Sequence, residues 1–336
     1  MDLQSVFAAR LGGRDFGTVQ KIFKFTLIDN AKKAFIKENP SVRVIDMGVG
    51  EPEERAPDQV AKRLYDAALV KANRIYPCNG TMPFREAAAR YLQRLLSLSF
   101  DPETEIMHCI GAKAALAQIP LCFINPGDTS IETAPGYPVF GTMVDWLGGT
   151  VVKLPLTAEN KFLPDFNALE QELQKGKTKT VLLNYPNNPT GATADLAFYE
   201  RMVRLAHDYN FVIIQDAAYA DFVYNGRYVS PFHVDGGKDV TMELFSLSKG
   251  FNMQGYRLGF VVSNPTLLKA FAQVKDNTDN GQFIAIQQAG VEALDNCEGF
   301  LSANQDKYLR PMQRTVQILN AAGIEASVSP GSFYLY

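Results

Sequence analysis

Lys249 closes the run TMELFSLSK, and it is the first residue of the chain with a clear chemical use. An ammonium placed after a buried strand loses solvation, which lowers its pKa and frees the amine to act as a nucleophile. Asp216 ends a second nearly all-apolar run, NFVIIQ, and Tyr219 comes three residues later. A carboxylate in that place can grip a cation, or it can do no more than cap a helix. Arg257 follows Lys249 by eight residues and can bring a guanidinium fork to a phosphate; the plainer reading is a surface ion pair, worth little. Gly111, Ala112 and Lys113 lie between a strand pattern and a helix pattern. Free N–H groups and the positive end of a helix dipole suit a phosphate dianion there, although most such turns are only turns. Asn188 sits in NYPNNPTG, where two prolines fix the backbone so that a short amide can be held in place, or so that the loop is merely rigid.

These residues need a scaffold that delivers them to one edge. A charged helical pattern from Ala31 to Arg43 leads into VRVIDMGVGEP, a short β-rich run closed by Gly48 and Gly50. Strand-like and helical stretches then alternate. EIMHCI, TSIETAPGYP, TVVKLPL, TVLLNYP, NFVIIQDAAY and TMELFSLSK are short β-rich segments bounded by turn residues, mostly separated by helical stretches. Residues 87–96, 269–294 and 314–319 read as helices, and GSFYLY reads as a closing strand. That rhythm predicts an α/β fold, a mostly parallel sheet with helices on both faces. Ligands of such sheets gather at the carboxyl ends of strands, where the residues named above fall. The expected division is an arm and part of a smaller domain over 1–42, a large domain over 43–265 and the smaller domain, apparently truncated, over 266–336.

Composition narrows the function. The 336 residues are 46% hydrophobic and 21% charged, with a formal net charge of -3, and no basic run argues for nucleic acid or an anionic membrane surface. Four scattered cysteines, Cys78, Cys109, Cys122 and Cys297, lack paired spacing, so reduced thiols and a cytoplasmic location are expected, with no metal site. No apolar stretch is long enough to span a bilayer and the start lacks a signal-peptide pattern, so no membrane partner is expected.

Taken in order, a phosphate loop, Tyr137 in APGYPVF, NNPTG, the Asp-x-x-Tyr of DAAY, and S-x-S-K followed by Arg257 resemble the cofactor site of the class I/II aminotransferases, fold-type I enzymes of pyridoxal 5′-phosphate. The resemblance covers almost the whole chain and implies that family's three-layer αβα large domain with a smaller α+β domain. It implies that Lys249 carries the cofactor's aldehyde carbon, gives it up to an incoming amine and then moves the proton between Cα and C4′. Asp216 is then the partner of the pyridine nitrogen, Asn188 and Tyr219 bind the ring's phenolic oxygen, and Tyr137 stacks on the ring. Gly111, Ala112, Lys113, Ser246 and Arg257 hold the phosphate. Tyr76 of YPCNG corresponds to a tyrosine that reaches a neighbouring subunit's phosphate, which implies a homodimer. The turn 48–50 matches the segment over bound substrate, with Gly50 and Asn188 as substrate contacts. His108, His207 and His233 match no catalytic position, and His207 and His233 read as surface residues.

RVIDMGVGEPEE, SLSKGFNMQGYRLGF and VKDNTDNGQFIAIQQAG look most like LL-diaminopimelate aminotransferases within the family, which implies small amino acids and 2-oxo acids as partners. Alanine, aspartate or aromatic donors stay open, as do a lyase or decarboxylase built on the same lysine and a cofactor-binding module without turnover. The family's arginine for the substrate α-carboxylate has no counterpart after GSFYLY, which implies a fragment or impaired substrate binding.

Overall fold

One seven-stranded sheet organises most of the chain. Its strands are β1 (Ile106–Cys109), β2 (Thr129–Ala134), β3 (Thr150–Pro155), β4 (Thr178–Asn184), β5 (Val212–Asp216), β6 (Thr241–Ser246) and β7 (Gly259–Ser263). Their order is β1-β7-β6-β5-β4-β2-β3. The pairs β3/β2, β2/β4, β4/β5 and β5/β6 are parallel, while β7 runs antiparallel to both β6 and β1. In this computed structural model residues 2–17, 24–48 and 50–336 are described, and the chain divides into two units, Met1–Gly50 and Glu51–Tyr336.

The sheet is covered on both faces, and the alternation of side chains shows why the sequence folds so. On β4, Leu182 enters one apolar cluster while Val181 and Leu183 enter another. Ile214 and Ile213 on β5 split in the same way, as do Leu244 and Phe245 on β6. Successive residues of a strand point to opposite faces, so a strand that is apolar at every position can be stable only between two layers. Each such side chain fully removed from water contributes about 1.5–3 kcal/mol. The helices Ala112–Gln118, Val139–Trp146 and Pro265–Asp276 supply one layer through Leu116, Phe140, Val144, Leu268 and Phe271. Met82–Leu96 and Ile284–Asn296 supply part of the other through Phe84, Leu92 and Ala289.

Two local expectations fail. Residues 42–48 form no strand; Ile45 and Met47 are exposed, and a β-rich run with no ladder partner stays irregular. GSFYLY is not a strand either. Gly331 makes a single bridge to Val223, its N–H goes to Gly191 O, and Ser332 N–H goes to Phe222 O. Its backbone groups are thus shared between separate loops and no ladder forms. A third strand signal was missed altogether: GFVVS is β7. In the first unit the helix Lys24–Glu38 carries Lys32, whose ammonium lies 2.9 Å from Asp46 and 3.6 Å from Asp29.

Candidate active site

The carboxyl ends of β4, β5 and β6 lie side by side, with Asn184 in register with Asp216 and Asp216 with Leu244. Asn184 ties two of the strand ends together. Its side-chain NH2 donates to Asp216 O at 2.8 Å, and its Oδ1 accepts from Asn188 N–H at 2.8 Å. A residue unremarked in the sequence therefore holds the Asn188 loop against β5. Its only signal was a polar side chain at the last position of a buried strand.

Asp216 is 7% exposed. Burial pushes its carboxyl up to about 6, against a hydrogen bond from Ala218 N–H and the nearby charge of Lys249, both of which favour the anion. That bond, 3.1 Å to Oδ1, caps a turn and no helix. Lys249 stands in the short helix Leu247–Gly250 that begins where β6 stops, and Ser246 caps that helix by accepting from Ser248 N–H at 3.2 Å. Desolvation lowers the Lys249 pKa and Arg257 lowers it further, while Glu51 and Asp216 raise it. Its Nζ lies 5.9 Å from the ring centre of Tyr219 and 6.0 Å from that of Phe333.

Tyr219 is buried, and its hydroxyl meets that of Tyr334 at 2.6 Å. Burial and the neighbouring Tyr334 hydroxyl drive its pKa well above the ordinary value, so it stays protonated. A phenol can donate one hydrogen bond and accept others, so this pair still leaves one O–H to offer elsewhere. Phe333 packs edge-on to Tyr219 at 5.4 Å and stacks on Tyr308 at 4.6 Å. Neither Tyr334 nor Phe333 was a sequence candidate, because GSFYLY reads as strand core. Tyr137, half-buried after β2, is close enough to Tyr219 to act on its charge.

The second part of the site lies where β1 ends. Gly111 has φ +77°, and a Cβ there would stand 2.6 Å from a terminal nitrogen of Arg257, so only glycine lets that guanidinium lie over the start of the helix Ala112–Gln118. Ala112 is buried and Lys113 exposed. Arg257 is exposed, donates to Gln254 O at 2.9 Å, and has no carboxylate within ion-pair distance among the described residues. The surface ion pair is thereby excluded among those residues. Tyr76 is 79% exposed. Gly48 N–H is held by Asp46 Oδ1 at 3.0 Å, Gly50 belongs to the first unit, and Val49 lies outside the described residues.

A partly buried amine near a buried acid, with a guanidinium over a glycine turn, is an arrangement for a heterocycle that carries an aldehyde and a phosphate. Residues 42–336 match the family model described as aminotransferase class I and II. The chain belongs to the class I and II aminotransferases. It is 44% identical to an LL-diaminopimelate aminotransferase of Methanocaldococcus jannaschii over 99% of this chain and 80% of that protein. It is 43% identical to one of Methanococcus maripaludis over the same shares. Among solved structures, a single mutant of Thermus thermophilus aspartate aminotransferase superposes with a TM-score of 0.88, covering 98% of this chain and 84% of that one at 28% identity.

A class I/II aminotransferase is a pyridoxal-phosphate enzyme, a transaminase that takes small-molecule substrates. The residues present fit the group. Gly111 keeps open a cradle that a Cβ would fill, Arg257 supplies a cation over it, and Asp216 supplies a buried anion. Among the described residues no cluster of His, Cys, Asp and Glu suits a metal ion, and no helix is long and apolar enough to cross a membrane.

Proposed function

We propose that this enzyme is an LL-diaminopimelate aminotransferase, a cytoplasmic homodimer in which residues 43–265 form the large domain and 266–336 part of the small one. The observation that carries the catalytic part is the desolvated Lys249 amine set among Asp216, Tyr219 and Phe333. When bound, pyridoxal phosphate supplies a sink for the electrons left when a proton leaves the substrate Cα.

Each residue then has a task that its surroundings explain. Lys249, with its ammonium form disfavoured by burial, would hold the cofactor's aldehyde carbon through its neutral amine and carry the proton of the substrate Cα. Asp216 holds the proton of the pyridine nitrogen, and the buried anion gains back what burial cost it. Asn188, fixed by Asn184, and Tyr219, backed by Tyr334, bind the phenolic oxygen. Tyr137 packs on the ring face. Arg257, the Ser246 hydroxyl and the amides of Gly111, Ala112 and Lys113 hold the phosphate, while Phe333 keeps water from Lys249. Asn188 also meets the substrate.

The substrate assignment is supported by relatives at 36–44% identity that bear this name. Dimer formation is supported by Tyr65, Leu69, Val70, Ile75 and Tyr76, large side chains left exposed within twelve positions of the chain; a concentration of exposed apolar side chains is what an interface would cover. Four free thiols fit a reducing compartment. The test is a spectral titration of the cofactor-loaded protein with LL-diaminopimelate, glutamate, aspartate and alanine in parallel. LL-diaminopimelate and glutamate should each discharge the visible band, leaving the cofactor in its amine form. Discharge by aspartate and alanine alone removes the substrate assignment and leaves the reaction class. Continued turnover of LL-diaminopimelate with no oxo acid present makes the enzyme a lyase or decarboxylase.

A further inference from the structure

His108 on β1 is fully buried and has no part in the chemistry above. Its Nε2 lies 3.0 Å from Oε1 of Gln282. The NH2 of that same amide donates to the carbonyl oxygens of Tyr256 at 2.6 Å and Arg257 at 2.9 Å. An amide with its N–H groups so engaged turns its oxygen to the ring, so His108 must be the donor and carries its proton on Nε2. Burial, with a smaller contribution from Lys275, holds the imidazole down at about 4 against the pull of Gln282 and Asp279, so the ring is neutral at working pH.

The two carbonyls that Gln282 grips flank the Cα of Arg257, whose φ of 55° lies in the left-handed region. A residue with a Cβ enters that region against a steric penalty and stays only where its surroundings impose it. The turn it makes brings the guanidinium back over Gly111. The clamp is itself rigid. Gln287 Nε2 donates to Gln282 O at 2.8 Å, and a Cβ on Gly80 would stand 2.5 Å from the His108 Cβ. Phe84 meets the imidazole edge-on at 5.9 Å.

We propose that His108 and Gln282 are positioning residues for the phosphate end of the cofactor site: the imidazole orients the Gln282 amide, and the amide fixes the turn that aims Arg257. The inference rests on Arg257 binding the phosphate. Both residues act through the backbone of Arg257, and the competing account is a buried polar pair that serves stability alone.

The experiment uses full-length, cofactor-free protein and compares dissociation constants for pyridoxal phosphate and for pyridoxal, which lacks the phosphate, alongside thermal midpoints. Gln282→Leu should weaken pyridoxal phosphate about tenfold, the worth of one charge-assisted bond, and pyridoxal less than about twofold. In an Arg257→Ala background it should add nothing. His108→Leu should behave like Gln282→Leu, whereas His108→Gln, which keeps an N–H to donate, should restore most of the affinity. Gln282→Asn, too short to reach both carbonyls, makes the same comparison if Gln282→Leu folds poorly. Equal losses for the two ligands, or losses additive with Arg257→Ala, overturn the positioning role while Arg257→Ala still weakens binding. If Arg257→Ala leaves the affinity for pyridoxal phosphate intact, the phosphate site and its positioning fall together.

Discussion

Asp216 and Tyr219, at 7% and 4% exposure, stand where water has been removed, whereas Arg257 and Lys113, at the other end of the proposed site, remain exposed. At the buried end the charged forms are disfavoured: the Asp216 carboxyl is raised to about 6, the Lys249 amine is lowered, and both shifts come first from desolvation. At the exposed end the cation keeps most of its hydration, and what is specified is backbone shape, through Gly111 at φ +77° and Arg257 at φ 55°. The difference separates two tasks. Bond-making needs groups held at an energetic disadvantage that a reacting partner relieves, while anchoring needs only a cation and N–H groups in a fixed place. A cation that stays solvated is also screened by salt, so added salt should loosen the anchor more than the chemistry.

Removing the reactive group breaks the comparison most severely. Lys249→Ala takes away both the nucleophile and the proton carrier, and turnover should fall by a factor on the order of 10⁴ or more. The visible band due to the covalent link should vanish as well. Pyridoxal phosphate should nevertheless remain bound through desalting, because Gly111 and Arg257 are untouched. Loss of the cofactor along with the turnover would show that the two ends do not act separately.

The opposite change attacks the anchor. Gly111→Ala puts a methyl 2.6 Å from the Arg257 guanidinium and strains a residue at φ +77°. The dissociation constant for pyridoxal phosphate should rise about 10- to 100-fold, as expected for disturbing bonds to a charged group, with a much smaller change in kcat at saturating cofactor. A drop in kcat as large as the loss in affinity would argue that the phosphate end also sets the ring's place over Lys249.

The same division decides what could be read in the sequence. The buried end was legible because desolvation leaves a linear trace: an apolar run must precede Asp216 and another must precede Lys249, and both runs are strands of the sheet. The parallel order of β4, β5 and β6 then brings their ends together without further information. Asn184 lay at such an end too, but an asparagine before a proline-rich loop reads equally as the start of a turn. The supports of the anchor left no such trace. Gln282 and Arg257 are 25 positions apart and are joined through side chain to carbonyl, a contact with no periodicity. His108 sits in a run, IMHC, whose burial is complete at every position, so its side chain looked like strand filling. β7 was missed for a related reason. GFVVS follows the cofactor segment directly, and its antiparallel pairing breaks the alternation of strand and helix on which the reading relied. Residues 331–336 misled in the other direction: the apolar pattern of a strand is present, but Phe333 and Tyr334 spend it on Tyr308 and Tyr219.

The last test probes the buried end without any catalysis. In cofactor-free protein the Asp216 carboxyl titrates at about 6 in the fold and at an ordinary 3.8 when unfolded, so the folded state binds the proton more tightly. Its contribution to stability is present in full below pH 3.8, is lost as pH rises through 6, and amounts to at most about 3 kcal/mol. Asp221, Glu243 and Glu132 are raised by burial in the same sense, so the decline in the native chain is shared, and the informative quantity is the difference made by Asp216→Asn. Urea unfolding midpoints measured between pH 4 and 7 should converge at the acid end and separate toward neutrality, with the variant the more stable. Bound cofactor should shrink that separation, because a protonated ring nitrogen beside Asp216 makes its anion welcome. Parallel curves for the two proteins would mean that water reaches Asp216, and the contrast between a dry end and a wet end would lose its foundation.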